Sequence, residues 1–415
     1  MKKQLLIIGF VWPEPKSSAA GSRMLQLIEL FQNFDYNVHF VSSAKRTEKT
    51  FDLESIGVAT DSVALNDSSF DDFIINLKPD VVLFDRFMTE EQFGWRVGQY
   101  CPSAVRILDT EDFHGLRKGR QTAFEQKEEF GLAQLQKDTT KREVASIYRC
   151  DFSLMISQAE IDILTQDLNV DKRLLHYLPF VLDANSVINR KELPQFNERQ
   201  HFVTIGNFRH PPNFDAVVYL KEDIWPRIRK TLPEAVLHIY GAYANKRVEQ
   251  LQDDQEGFLI KGFAEDVNEV MQKARVCLAP LRFGAGLKGK LMDAMQNGTP
   301  CVMTSIAAEG MFGTLPPNGI IVDEASAFAK ASIELYTDAD LWEQMSKNGF
   351  AVLKSRFDKK EHAKSFHTAL NKLTQGLKEH RQQNFIGQVL QHHTLQSTKY
   401  MSRWIEEKNK KSKLG

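Results

Sequence analysis

Ala279-Pro-Leu-Arg-Phe-Gly-Ala-Gly-Leu-Lys-Gly-Lys-Leu-Met-Asp-Ala-Met295 is the most informative stretch of the chain. An apolar run ends at Pro280, Gly284, Gly286 and Gly289 open a loop, and helical spacing starts near Gly289 or Lys290. A strand, a glycine-rich turn and a helix in that order expose backbone N–H groups at a positive helix end, which suits a phosphate. Arg282, Lys288 and Lys290 put three cations among the same few residues. Glycines alone would read as a tight turn with solvated lysines; the cations and the flanking strand and helix favour an anion site. Asp293 lies three residues past Lys290 on the same helix face. A carboxylate there either accepts hydrogen bonds from vicinal hydroxyls or simply complements the first helical turn.

The alternation extends outward on both sides. After weakly periodic residues 179–200, apolar runs at 202–206, 235–241, 258–261, 276–280 and 301–304 alternate with helical spacing at 214–231, from 245, at 267–274 and at 289–296. Before that linker, runs at 4–9, 38–42, 81–84, 105–109 and 154–157 repeat the pattern, and Met24, Leu27, Ile28 and Phe31 share one face of a helix over 22–34. Consecutive apolar positions are expected of parallel strands buried on both faces. Two βαβ series predict an α/β protein of two Rossmann-like doubly wound domains facing across a cleft, with a C-terminal helical tail. The expected boundaries are 1–185, 198–360 and 361–415, the last being helices and a basic tail. The tail's Lys408, Lys410, Lys411 and Lys413 read most simply as a solvated, frayed end.

Composition narrows the function. The chain has 415 residues, 42% hydrophobic and 26% charged, which excludes a disordered or fibrous protein. Its 53 basic and 54 acidic residues leave a net charge of -1, so no nucleic-acid partner is expected and any cationic chemistry is local. No apolar run reaches the roughly 18 residues of a membrane span, and the short run after Lys2 and Lys3 lacks a small-residue cleavage site. Cys101, Cys150, Cys277 and Cys301 are scattered without a CxxC pair, which suits a reducing compartment and no metal centre. The expected location is cytoplasmic.

Ligands of open α/β sheets sit at the carboxyl ends of strands, so the loops there supply the other candidates. After 202–205, Gly206 permits a tight exit and Arg209 can reach the glycine loop as a second phosphate clamp. In the first half, Asp109, Asp112, His114 and Arg117 crowd a strand end, and a histidine flanked by carboxylates there is a site candidate. The small residues around Gly21, after Trp12-Pro-Glu-Pro15, would let a substrate approach the backbone beside a helix N-terminus.

Taken in order, these pieces resemble the GT-B glycosyltransferases, specifically the retaining glycosyltransferase family 4, or group 1. The resemblance rests on the loop ending at Gly21, Asp109-Thr-x-Asp-x-His-x-x-Arg117, Ile205-Gly-Asn-x-x-x-x-Pro-Asn213, Lys261-Gly-Phe-x-x-Asp-Val267, Pro280 to Met295, and Thr304-Ser-x-x-x-Glu-Gly310. It covers about residues 4–375 and is most specific in the C-terminal half. It implies that the second domain binds a nucleotide-diphosphate sugar as donor. Arg209 with Lys288 or Lys290 would clamp the diphosphate, Asp293 would take the ribose hydroxyls, and Gly262 and Phe263 would hold the base. Gly206, Arg282 and Gly286 complete the donor set, His114 would line the reacting sugar, and Gly21 would lie near the phosphates or acceptor.

The chain departs from the family's pair of glutamates spaced eight apart: Ala285 stands at the sugar-contacting position and Asp293 at the ribose-binding one. The implied activity is transfer of a hexose-like sugar to a saccharide or lipid-linked acceptor with retention, in polysaccharide biosynthesis, without a metal or other cofactor. Two alternatives stay open: a sugar-nucleotide epimerase of the same fold and a non-catalytic sugar-nucleotide-binding protein. The basic tail and exposed aromatics would give peripheral contact with the inner face of the membrane.

Overall fold

The computed structural model describes residues 2–183 and 188–413, without the side chains of 393–396 and 411–413. The expected domain end at residue 185 and the side chains of Lys411 and Lys413 lie outside the described residues. The first sheet contains β1 (Lys3–Gly9), β2 (Tyr36–Ser42), β3 (Ala59–Ser62), β4 (Val81–Asp85), β5 (Val105–Asp109), β6 (Phe152–Met155) and β7 (Leu175–Tyr177), ordered β3-β2-β1-β4-β5-β6-β7. The second contains β8 (Gln200–Ile205), β9 (Leu237–Tyr240), β10 (Phe258–Gly262), β11 (Ala274–Ala279), β12 (Cys301–Met303) and β13 (Gly319–Ile321), ordered β10-β9-β8-β11-β12-β13. Neighbouring strands in both sheets run parallel. The expected pair of doubly wound domains is therefore what the chain forms.

Burial explains the strand composition. Leu5, Leu6, Ile7 and Ile8 are all fully buried, odd positions packing with one core cluster and even positions with another. A strand covered by helices on both faces has no solvent side to mark by alternation. In each sheet the order reverses beside the first strand, between β1 and β4 and between β8 and β11. The loops leaving these strands open the crevice where a doubly wound fold binds ligand.

Helix α1 (Ala19–Asn33) follows β1, and Ser18 caps it by accepting a hydrogen bond from the Gly21 amide at 3.1 Å. A Cβ on Gly21 would come within 2.5 Å of the Glu14 backbone, so only glycine lets the loop fold back here. Helix α2 (His114–Gln126) follows β5, α3 (Pro211–Tyr219) follows β8, and α4 (Gly289–Gln296) follows β11.

After residue 357 the chain returns to the first domain. Leu182 N donates to Phe357 O at 2.7 Å and Lys359 N to Leu182 O at 2.9 Å, tying the return segment to the outgoing one. Helix α5 (Lys359–Gln375) then buries Phe366, Leu370 and Leu373 in the first domain's core, with Phe366 edge-on to Phe31 at 5.5 Å. The sequence reads as a polar tail because these residues form one narrow stripe at helical spacing on an otherwise charged helix. Helix α6 (Phe385–Lys413) also lies on this domain, packing against the helices Arg86–Tyr100 and Asp138–Arg149. The expected frayed end is thus helical through Lys413.

Candidate active site

A cleft of about 1270 Å³ separates the two domains at the carboxyl ends of their sheets. Its wall includes Gly21 and His114 from the first domain and Gly206, Arg209, Phe263, Gly286, Lys288, Lys290 and Asp293 from the second. Gly262 and Arg282, also expected there, lie outside the wall. Gly262 sits just behind Phe263, with φ +70° and its carbonyl accepting from Gly241 N at 2.7 Å. Arg282 points away: its guanidinium donates to Asp215 at 2.9 and 2.6 Å and is held between the Phe124 and Tyr219 rings. Proximity in sequence to the glycine loop does not bring its charge into the cleft.

The glycine loop shapes the second domain's side of the cleft. Gly286 has φ +66°, and a Cβ there would approach the Asp112 Cβ to 2.8 Å across the cleft, so both backbone conformation and space require glycine. Lys288 turns inward and Nζ donates to Ala285 O at 2.9 Å and Gly286 O at 2.5 Å. Lys290, in the first turn of α4, donates to Asn213 Oδ1 at 3.0 Å. Burial lowers the pKa of each lysine to about 8. Asp293, on the same helix as Lys290, is pushed up to about 7 by burial, with Lys290 opposing. The Arg209 guanidinium lies over the Tyr243 ring at 3.6 Å. Phe263 carries Lys49 from the first domain over its ring at 3.6 Å.

On the opposite wall, His114 begins α2. Glu143 accepts from the backbone amides of His114 at 3.2 Å and Gly115 at 2.9 Å, a carboxylate placed where helix N–H groups have no partner. His114 Nδ1 meets Asp112 Oδ1 at 3.2 Å. Burial opposes charge on the ring, yet Asp112 and Glu143 outweigh it and raise its pKa above the usual histidine value. Asp112 is buried too, but Arg117, whose Nε donates at 2.6 Å, and His114 hold it well below the carboxylate range. Asp109 is taken up by a buried pair with Arg23 at 2.8 Å and lies off the cleft wall.

Several residues in the cleft wall or behind it were not legible beforehand. Glu160 is fully buried, and its Oε1 accepts from Phe113 N and Gly286 N, each at 2.8 Å, while Oε2 has no partner. Arg120 of α2 donates to both oxygens of Glu309 at 2.8 and 2.7 Å and to Gly284 O at 3.0 Å, again joining the domains. Tyr243 donates to Glu14 at 2.5 Å. Arg86 and Glu111 both line the cleft with positive φ, 69° and 63°. Burial, then Asp109, raises the Glu111 carboxyl well above its usual range. Glu309 had a sequence signal as a fixed position of the motif ending at Gly310, and Glu111 as a member of the ionisable run that ends at Arg117. Ala285 packs into the first domain's core. Among the described residues, no three His, Cys, Asp or Glu side chains gather as a metal site.

Comparison with known proteins agrees with this layout. Residues 199–338 match the family model described as Glycosyl transferases group 1. A Klebsiella pneumoniae protein described as an uncharacterized 44.6 kDa protein in the cps region is 26% identical over 164 residues, which are 38% of this chain and 42% of that protein. The match thus spans less than half of that relative's length. Among solved structures, sucrose-phosphate synthase from Thermosynechococcus elongatus superposes with a TM-score of 0.68 at 16% identity, over 90% of this chain and 99% of the other. Anabaena Alr3699/HepE, in complex with UDP and glucose, gives 0.67 at 14% identity, over 89% and 100%. At these identities the likeness establishes the fold, which is the GT-B arrangement of two Rossmann-like domains. The group 1 match in the second domain supports a glycosyltransferase.

Proposed function

We propose that the protein moves a sugar from a nucleotide-diphosphate donor, held by the second domain, to a saccharide or lipid-linked acceptor on the first, with retention. The observation that carries this reading is the convergence of Lys290, Arg209 and the N-terminus of α4 on one cleft wall, with Asp293 on the same helix. A diphosphate there meets two cations and a positive helix end. That Anabaena HepE has been solved with UDP-glucose supports a donor of this class. Lys288 supports the loop from behind, since its ammonium is occupied by Ala285 O and Gly286 O.

In the reaction, the bond between the anomeric carbon and the diphosphate oxygen breaks, negative charge grows on the phosphates and the sugar becomes oxocarbenium-like. Lys290, Arg209 and the helix end oppose that charge from fixed positions, which is the largest effect available here. Asp293 accepts hydrogen bonds from the ribose hydroxyls, and Phe263 packs against the base. His114, with Nδ1 engaged by Asp112, has Nε2 left to meet the sugar. The acceptor hydroxyl enters from the wall of Phe10, Arg86 and Glu111, its oxygen bonds the anomeric carbon as the diphosphate leaves, and its proton passes to the departing phosphate oxygen. The domain contacts through Glu160 and Arg120 exclude water from the donor bond.

Ala285 favours a second reading, a nucleotide-sugar-binding protein without turnover. Thermal-shift measurements over a panel of nucleotide sugars, followed by product analysis with the stabilising donor and a chelator present, test both. Transfer that survives chelation supports the proposed enzyme; donor binding without any transfer over a broad acceptor panel supports the second reading.

A further inference from the structure

Helix α6 carries exposed apolar side chains. Its described contacts with the first domain include polar ones beside the half-buried Leu390 and Ile405: Gln391 Nε2 donates to Arg149 O at 2.8 Å, Ser402 Oγ to Asn66 Oδ1 at 3.1 Å, and Glu406 pairs with Arg96. Gly387 brings the backbone against Tyr148 O, where a Cβ would stand at 2.2 Å. Other apolar side chains face solvent: Phe385, Ile386, Val389, Tyr400, Met401 and Trp404, with Tyr400 66% and Trp404 61% exposed. Ile386 and Trp404 lie about five turns apart and point the same way, with Val389 and Tyr400 to one side. A surface helix of a soluble protein normally turns its apolar stripe inward. An outward stripe of this size marks a docking face.

Charge selects what docks. The helix carries Lys399, Arg403, Lys408, Lys410, Lys411 and Lys413 against only Glu406 and Glu407, in a chain whose net charge is -1. A basic helix with tyrosine and tryptophan on its apolar face matches the boundary between anionic headgroups and acyl chains. Two copies of the face would bring like charges together. No helix among the described residues is long and apolar enough to cross a membrane, so contact of this kind lies along the surface. We propose that the outward face of α6 seats the protein on an anionic lipid bilayer.

The test is co-sedimentation of the full-length protein with vesicles of phosphatidylcholine alone and of phosphatidylcholine mixed with phosphatidylglycerol. Binding is expected on the anionic vesicles only. The variant Tyr400→Ser/Met401→Ser/Trp404→Ser should abolish it, and Lys408→Gln/Lys410→Gln should weaken it about tenfold or more. Unchanged circular-dichroism melts and donor-induced thermal shifts verify that the variants are folded. Absence of vesicle binding, equal binding to both compositions, or full binding by the triple-serine variant overturns the proposal. A dimer in sedimentation velocity that this variant dissolves, without vesicle binding, assigns the face to a second copy and equally overturns it.

Discussion

Glu160 Oε1 accepts a hydrogen bond from the Gly286 amide at 2.8 Å, and the same oxygen accepts one from Phe113, so one buried carboxyl joins the glycine loop of the second domain to the strand end of the first. Burial and the nearby Asp112 push this carboxyl up to about 8 from an ordinary value of 4.5. The folded state therefore holds a proton that the unfolded state has released, and stability falls as pH rises between those values. Glu160→Gln keeps an acceptor for both amides and does not titrate. Urea unfolding at several pH values should show a flatter profile in this variant. Glu160→Ala leaves two buried amides without a partner and should cost about 1–3 kcal/mol. An unaltered pH profile in Glu160→Gln would remove the carboxyl from this role.

Lys290→Ala and Arg209→Ala should each lower kcat for transfer by about a hundredfold or more, the usual cost of removing a group aimed at developing charge. Lys290→Ala also removes a costly buried cation, so its melting temperature should not fall. Steady-state kinetics alongside calorimetric melts separate loss of catalysis from loss of fold. Full activity in both variants would exclude the phosphate clamp.

Donor binding should peak in a narrow pH window. Lys290 is charged only below about 8, so affinity for a diphosphate falls as pH rises through that value. Asp293 is ionised only above about 7, so hydrogen bonding to ribose hydroxyls weakens as pH falls through that one. Titration calorimetry with a nucleoside diphosphate across this range should give a bell, and Asp293→Asn should remove its acid limb. Proton uptake on binding near the upper limb is the accompanying signature.

Arg120 and Glu309 form another bridge, bidentate and partly buried. Arg120→Ala should loosen the two domains with a loss near ~1 kcal/mol, because solvent reaches both partners. Small-angle scattering should report a larger radius of gyration, and the hydrolysis-to-transfer ratio of the donor should rise. An unchanged scattering profile would show that the other contacts across the cleft hold it shut without this pair.

The longer strands were legible because burial on both faces leaves consecutive apolar residues, as in Leu5 to Ile8. β3, Ala59–Ser62, carries Ala-Thr-Asp-Ser and sits at a sheet edge, and β7 mixes Leu175 with His176 and Tyr177, so neither presents an apolar run to read; β13, Gly319–Ile321, is a short apolar run at the other sheet's edge that the sequence reading passed over. The start of α4 at Gly289 was legible from the glycine loop. Helix α1 starts at Ala19, before the periodic residues, because its cap is Ser18. Arg282 was misplaced since sequence gives its neighbourhood but not the Asp215 carboxylate and two rings that turn it aside. Glu160 and Arg120 were hidden for another reason: their partners lie in the other domain, and pairing at that separation leaves no periodic trace.

The return of α5 to the first domain has a consequence for biosynthesis. Phe366, Leu370 and Leu373 belong to the core that also contains Leu5, Leu27 and Phe31. During translation the second domain emerges whole before those three residues leave the ribosome. The amino-terminal half is thus completed last, and a nascent chain truncated anywhere before α5 exposes the apolar seat that this helix covers. Order of synthesis and order of completion run in opposite directions in this protein.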